Sequence, residues 1–271
     1  MVRKVTAIAR AIFQARFVED VQTHLAKALD KITIGDPRNR EVRMGSLVSK
    51  DQVAEVKACI EDISKTAEIV YGSLEAPELI GASAEHGAFL RPVLMREDKP
   101  FENLAAHERE AFGPVATIMP YNGLDEAITL AQMGKGSLVS SIVTNDGKIA
   151  KEYVIEAATH HGRILVLNRA SAKESTGHGS PLPNLVHGGP GRAGGGEEMG
   201  GMRGIKHYLQ RTAIQGSPTT LTEITGIYQP NAKYKEAEKH PFQYHWEAVS
   251  YTKLTLPTKR IGSLCDVSGL V

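Results

Sequence analysis

VATIMPYNGLDEAITLAQMGKGSLVSSIVTNDGKIAKEYVIEAATHHGRILVLN, residues 115–168, decides the fold. Within it VATIMPY (115–121), SLVSSIVT (137–144) and GRILVLN (162–168) are near-continuous apolar runs, as expected of strands buried on both faces. Between them, LDEAITLAQM (124–133) and KIAKEYVIEAA (148–158) place apolar residues at helical spacing. Strands that alternate with helices predict an α/β fold, a mostly parallel sheet with helices on both faces.

Upstream the same grammar continues. VTAIARAIF (5–13) is short, apolar and partly β-branched, which predicts a strand, and FVEDVQTHLAKALDK (17–31) predicts an amphipathic helix. GDPRNR (35–40) is a turn by its Gly, Pro and Asn. SKDQVAEVKACIEDISKT (49–66) predicts a second helix, with Ser49 as N-cap and Cys59 facing the core beside Val56 and Ile60. AEIVYG (67–72) and GAFLRPVLM (87–95) predict two strands, the second on an edge or loop-like path because Pro92 cannot donate to a ladder.

Downstream the alternation stops. From Ala170 to about Gly204 the chain is dominated by Gly, Ser and Pro, too long for a connector, and it follows a core strand where α/β sheets bind ligands. RGIKHYLQRTAIQG (203–216) then predicts a helical turn running into a strand.

Composition narrows the class. Of 271 residues, 41% are hydrophobic and 23% charged, and the net charge of +1 gives no field for nucleic acid. Cys59 and Cys265 stand far apart, outside any zinc or redox spacing, so a reducing, cytoplasmic setting is expected, with no export signal and no membrane span.

Four motifs offer chemistry. GGPGRAGGGEE (188–198) brings backbone N–H groups together, but it lacks the Gly-Lys-Ser/Thr ending and the strand-to-helix context of phosphate loops, so tight backbone packing is the favoured use. In SAKESTGHGS (171–180), Ser171, Lys173, Ser175 and His178 could supply a nucleophile and base, against which stands a polar loop bonded to itself. His160, His161, His178, His187 and His207 lack the spacing of a metal helix and read as surface or helix-end histidines, with no metal expected. In HEREAFGPV (107–115), Glu110 could accept from a ribose diol while Phe112 packs beside a flat ring, with Gly113 and Pro114 fixing the turn; an exposed Glu before a buried Phe is the plain alternative.

Taken in order, RKVTAI, GDP to MGSLVS (35–49), GAFLRPVL, EAFGPV, GRILVLN and the Gly-rich run resemble the aldehyde dehydrogenase superfamily. SAKESTGHGSPLPNLVHGGPGRAGGGEEMGG, followed by KHYLQRTAIQGSPT, is most similar to the aldehyde dehydrogenase part of the bifunctional ring-opening enzymes of phenylacetate degradation. The resemblance implies oxidation of a CoA-linked semialdehyde with NADP, or NAD, by a homo-oligomer. In that family the run before Thr6-Ala7 reads Gly-Gln-Lys-Cys, and the cysteine thiolate attacks the aldehyde. Here Val5 stands in that place, and an isopropyl group cannot attack.

The resemblance further implies that the general base, the oxyanion asparagine and most of the cofactor domain belong to sequence upstream of that cysteine. It places Glu110 and Phe112 at cofactor contacts that cannot alone hold a dinucleotide, and Lys173 and Ser180 at the aldehyde entrance. The expected organisation is a partial catalytic domain over 1–206 and an oligomerisation segment over 207–220, centred on 207–216. A linker towards a hydratase domain over 221–247 and a tail over 248–271 complete it. The tail resembles a garbled hydratase start or translated adapter read-through. A fragment without dehydrogenase activity is the first expectation, a non-catalytic oligomerisation module the second, and a hydrolase using Ser171 and Lys173 the third.

Overall fold

The computed structural model describes residues 8–173, 191, 209 and 212–233. They fall into two compact units, one within 1–133 and one within 134–271.

The first unit contains β1 (Arg10–Gln14), α1 (Val18–Leu29), α2 (Lys50–Ile63), β2 (Glu68–Tyr71), β3 (Val93–Arg96), α3 (Ala105–Glu108), β4 (Val115–Tyr121) and α4 (Leu124–Gln132). Its sheet runs β1-β4-β3-β2, with β1, β4 and β3 parallel and β2 antiparallel to β3. Successive strand residues face opposite ways, so each strand feeds two cores. Val93, Met95, Val115 and Met119 pack with Val56, Ile60 and Ile63 of α2, whereas Leu94 and Ile118 pack with Val18, Val21 and Leu25 of α1. Helices therefore cover both faces, as the apolar strands require.

Helix α2 shows how the sequence writes its own packing. Ser49 accepts from the Gln52 N–H and caps the first turn. Gln52, Val56, Ile60 and Ile63 are buried at four- and three-residue spacing, one stripe of a helix. Cys59 lies beside this stripe and is only half-buried, so it packs at the margin of the core.

Among the described residues the first strand begins at Arg10, after Ile8 and Ala9, and residues 5–7 of the expected strand lie outside the described set. The expectation over 87–95 is corrected in part: residues 87–92 take the loop-like path, the strand begins only at Val93, and β3 is interior, not an edge. Pro92 sits one residue before the ladder, so its missing N–H costs nothing, and the Val93 N–H goes to the Pro114 carbonyl.

The second unit contains β5 (Ser137–Val143), α5 (Gly147–Ala157), β6 (His161–Leu167), β7 (Ala213–Gln215) and α6 (Pro218–Thr225). Its sheet is parallel in the order β5-β6-β7. β6 is central, and His161 to Val166 are all buried. The described part of the expected oligomerisation segment is thus a buried strand followed by a helix, and α6 crosses the boundary drawn at residue 220. The sequence reading missed α6 despite its signals, a Ser217 N-cap, Pro218 at the first turn and Gly226 in the left-handed region at φ 69°.

Candidate functional site

The turn 109–114 is built onto α2. A Cβ at Gly113 would lie 2.7 and 2.8 Å from the two Val56 methyls, so only glycine lets this turn seat against the helix. Gln52 holds the same turn by hydrogen bonds: its Nε2 donates to the Phe112 carbonyl at 2.7 Å, and its Oε1 accepts from the Val48 N–H at 3.3 Å. Carbonyls only accept and backbone N–H groups only donate, so a single orientation of this amide satisfies both. Glu110 and Phe112 stand out from this fixed base, Glu110 exposed and Phe112 with 45% of its surface open. Phe112 is thus not the buried aromatic of the plain alternative.

Beside Glu110 a depression runs between α2 and residues 108–110, lined in part by Cys59, Asp62, Lys65 and Arg109. Asp62 accepts from Lys65 Nζ and Arg109 Nε, each at 2.8 Å, and these partners, the Lys65 hydrogen bond first, hold its carboxyl below the usual range. Burial pushes the Cys59 thiol up, which favours its protonated form at neutral pH.

A partly buried junction joins β1, α3 and α4. Arg10 donates to the Leu130 and Ala131 carbonyls at 2.6 and 3.2 Å, two of the last-turn acceptors that α4 cannot satisfy itself. It also meets His107 Nδ1 at 3.0 Å, while His107 Nε2 meets the Pro100 carbonyl at 2.8 Å. Arginine has no acceptor and a carbonyl has no donor, so the proton sits on Nε2. Desolvation, the leading cause, lowers the pKa of His107, and the Arg10 charge adds to it.

In the second unit Asn168 closes β6. Its Oδ1 accepts from the Ala170 and Ser171 N–H groups, and its Nδ2 donates to Thr220 Oγ1 at 2.6 Å and Ser217 Oγ at 3.3 Å. Ser171 Oγ is engaged with the Asn168 backbone, and Lys173 is exposed. Ser171 thus bonds within its own turn.

The structure brings Glu110 and Phe112 together on one turn. Val5, Ser175, His178, Ser180, His187 and His207 lie outside the described residues. His161 corrects the surface reading of the histidines: it opens the central strand and is 2% exposed, whereas His160 ends a 3₁₀ turn beside Thr159. No group of three metal ligands occurs among the described residues. Gly191 fits the packing use of its motif, since at φ +52° its Cβ position is 2.4 Å from the Lys135 carbonyl. Gln52 and Asn168 were not singled out from sequence, although the Ser49-x-x-Gln52 spacing is a capping signature that carries the first.

Residues 3–214 match the family model described as the aldehyde dehydrogenase family. The chain belongs to the aldehyde dehydrogenase family. It is 47% identical over 227 residues to protein MaoC of Klebsiella aerogenes, covering 83% of this chain and 65% of that protein. To the 3,4-dehydroadipyl-CoA semialdehyde dehydrogenase of Aromatoleum evansii it is 36% identical over 188 residues, covering 69% and 36%. The chain thus spans less than two thirds of either relative. Among solved structures, HpcC from Thermus thermophilus superposes with a TM-score of 0.61 at 20% identity, covering 76% of this chain and 38% of that one. Succinic semialdehyde dehydrogenase from Streptococcus pyogenes, in complex with NADP+, gives 0.56 at 24%, covering 69% and 37%. These likenesses show the shared fold, a partial aldehyde dehydrogenase domain with parallel-rich sheets. No helix among the described residues is long and apolar enough to cross a membrane.

Proposed function

We propose that this chain is part of the catalytic region of an NADP-linked dehydrogenase for a CoA-linked semialdehyde, and that as given it forms no acyl-enzyme. The single observation that carries the second half is Val5, the residue that the resemblance sets at the place of the family's cysteine. A thiolate adds to the aldehyde carbon and leaves a thioester after oxidation; an isopropyl group has no lone pair for that bond. The CoA-linked substrate class is supported by the name of the Aromatoleum relative.

The family binds NAD(P), and bound NADP supplies the hydride acceptor. The Glu110–Phe112 turn fits one end of it. The exposed Glu110 carboxylate can accept from a ribose diol, and the half-open Phe112 ring offers an apolar edge to a flat base, both on a base fixed by Gln52 and Val56. Two such contacts are too few to hold a dinucleotide alone. Lys173 and Ser180 are proposed at the aldehyde entrance, Lys173 being exposed just after the Asn168 turn.

The test is intact-mass spectrometry of the chain after incubation with NADP and a CoA-linked semialdehyde. No acyl adduct is expected; an acyl adduct on the chain as given overturns the proposal. A second reading, a module that pairs with a longer homologue through 207–216, is supported by β7, an edge of the sheet among the described residues. Native mass spectrometry showing only monomers with and without the homologue contradicts it.

A further inference from the structure

We propose that Gln52 is the positioning residue of the Glu110–Phe112 turn, a role that rests on the reading of this turn as a cofactor contact. The bond from Gln52 to the turn is to backbone, the carbonyl of Phe112. Gln52 is 8% exposed, and its side-chain amide is committed at both ends. Nε2 is on the Phe112 carbonyl at 2.7 Å and Oε1 on the Val48 N–H at 3.3 Å, while its own backbone N–H goes to the Ser49 cap. One residue therefore ties three things: its side chain holds the entry to α2 and the Phe112–Gly113 peptide, and its backbone N–H holds the first turn of α2.

Without this hold, the turn keeps its seat at Gly113 on Val56 but loses the bond that sets the rotation of the Phe112 peptide. That peptide joins Phe112 to the seat at Gly113, so its rotation sets how the Phe112 ring is aimed from the seat, and with it the place of the ring relative to Glu110. A site assembled from two side chains loses affinity when the second wanders.

The experiment uses the full chain labelled with 4-fluorophenylalanine, the Phe112 resonance being identified by its loss in Phe112→Leu. Gln52→Leu keeps most of the volume and drops both hydrogen bonds. Gln52→Glu keeps an acceptor for Val48, and its carboxyl group donates to the Phe112 carbonyl only while protonated. The expected result is a Phe112 resonance displaced in Gln52→Leu. In Gln52→Glu it sits at the parent position at low pH and moves to the displaced one as the carboxyl ionises. The parent resonance stays constant over the same range. A merely structural loss would not reverse with pH. If Gln52→Leu fails to fold, the Gln52→Glu titration alone decides.

A resonance that is unchanged in Gln52→Leu, or independent of pH in Gln52→Glu, overturns the proposal. Titration with reduced nicotinamide mononucleotide separates the underlying reading. Half-saturation about tenfold weaker in Gln52→Leu supports both, as the loss of one good hydrogen bond would give. A parent resonance that this probe never moves, with the Gln52→Glu pH dependence intact, overturns the cofactor contact while supporting the hold.

Discussion

Gly113→Ala measures how tightly the candidate turn is seated. The new Cβ would stand 2.7 and 2.8 Å from the Val56 methyls, so side chain or turn must retreat by about 1 Å to reach ordinary contact. Val56 is 1% exposed and packs beside Ile60 at 0%, so it cannot swing away without disturbing the core. If the turn lifts instead, the 2.7 Å bond from Gln52 to the Phe112 carbonyl stretches. Either route costs about 1–3 kcal/mol, the range for overpacking a filled site. Val56→Ala alone costs about 1.5–3 kcal/mol through lost burial and a cavity. The pair is cheaper than the sum by about 1–2 kcal/mol, because the added methyl then fills the space left by the removed ones. Urea unfolding of the full chain, with hydrogen exchange over 56–63 to assign the transition to this unit, reads all three values. A Gly113→Ala chain within about 0.5 kcal/mol of the parent, or costs additive within that margin, refutes the tight seat.

Three further outcomes follow from the surroundings of particular residues. Because the folded pKa of His107 is lowered, its contribution is present above its ordinary value near 6.5 and is lost as pH falls below it, so the parent should weaken through that range and His107→Gln should not. Asp36 is held down to about 2 by the Arg38 side chain, so its contribution is present above 3.8 and lost as pH falls through about 2; carboxyl NMR should show that midpoint, rising towards 3.8 in Arg38→Ala. Asn168→Ala unpins Thr220, Ser217 and the 170–171 turn, at about 1–3 kcal/mol, and should speed hydrogen exchange at 169–172.

Much of this fold is legible in residue order because strong local signals agree with the packing. The runs around Ile118, Ile142 and Ile164 become strands, and the stripe of Val56, Ile60 and Ile63 becomes the buried face of α2. At Pro92 the loop-like alternative holds and the edge alternative does not, because the effect of proline depends on register: one residue before the ladder it is harmless, and one residue later it would not be. His161 misled because burial on both faces is a property of the central position of β6, which no local pattern states. At the site, Glu110 and Phe112 can be found from one motif, but Gln52 lies 60 residues from Phe112. Its capping signature predicts a helix start, and only the fold turns that start towards the motif.

The most direct test of the account is NADPH formation by the full chain supplied with NADP and a CoA-linked semialdehyde, free of any longer homologue. The fold of an aldehyde dehydrogenase with valine at position 5 predicts none above the uncatalysed rate. Sustained NADPH formation that scales with the concentration of this chain contradicts it.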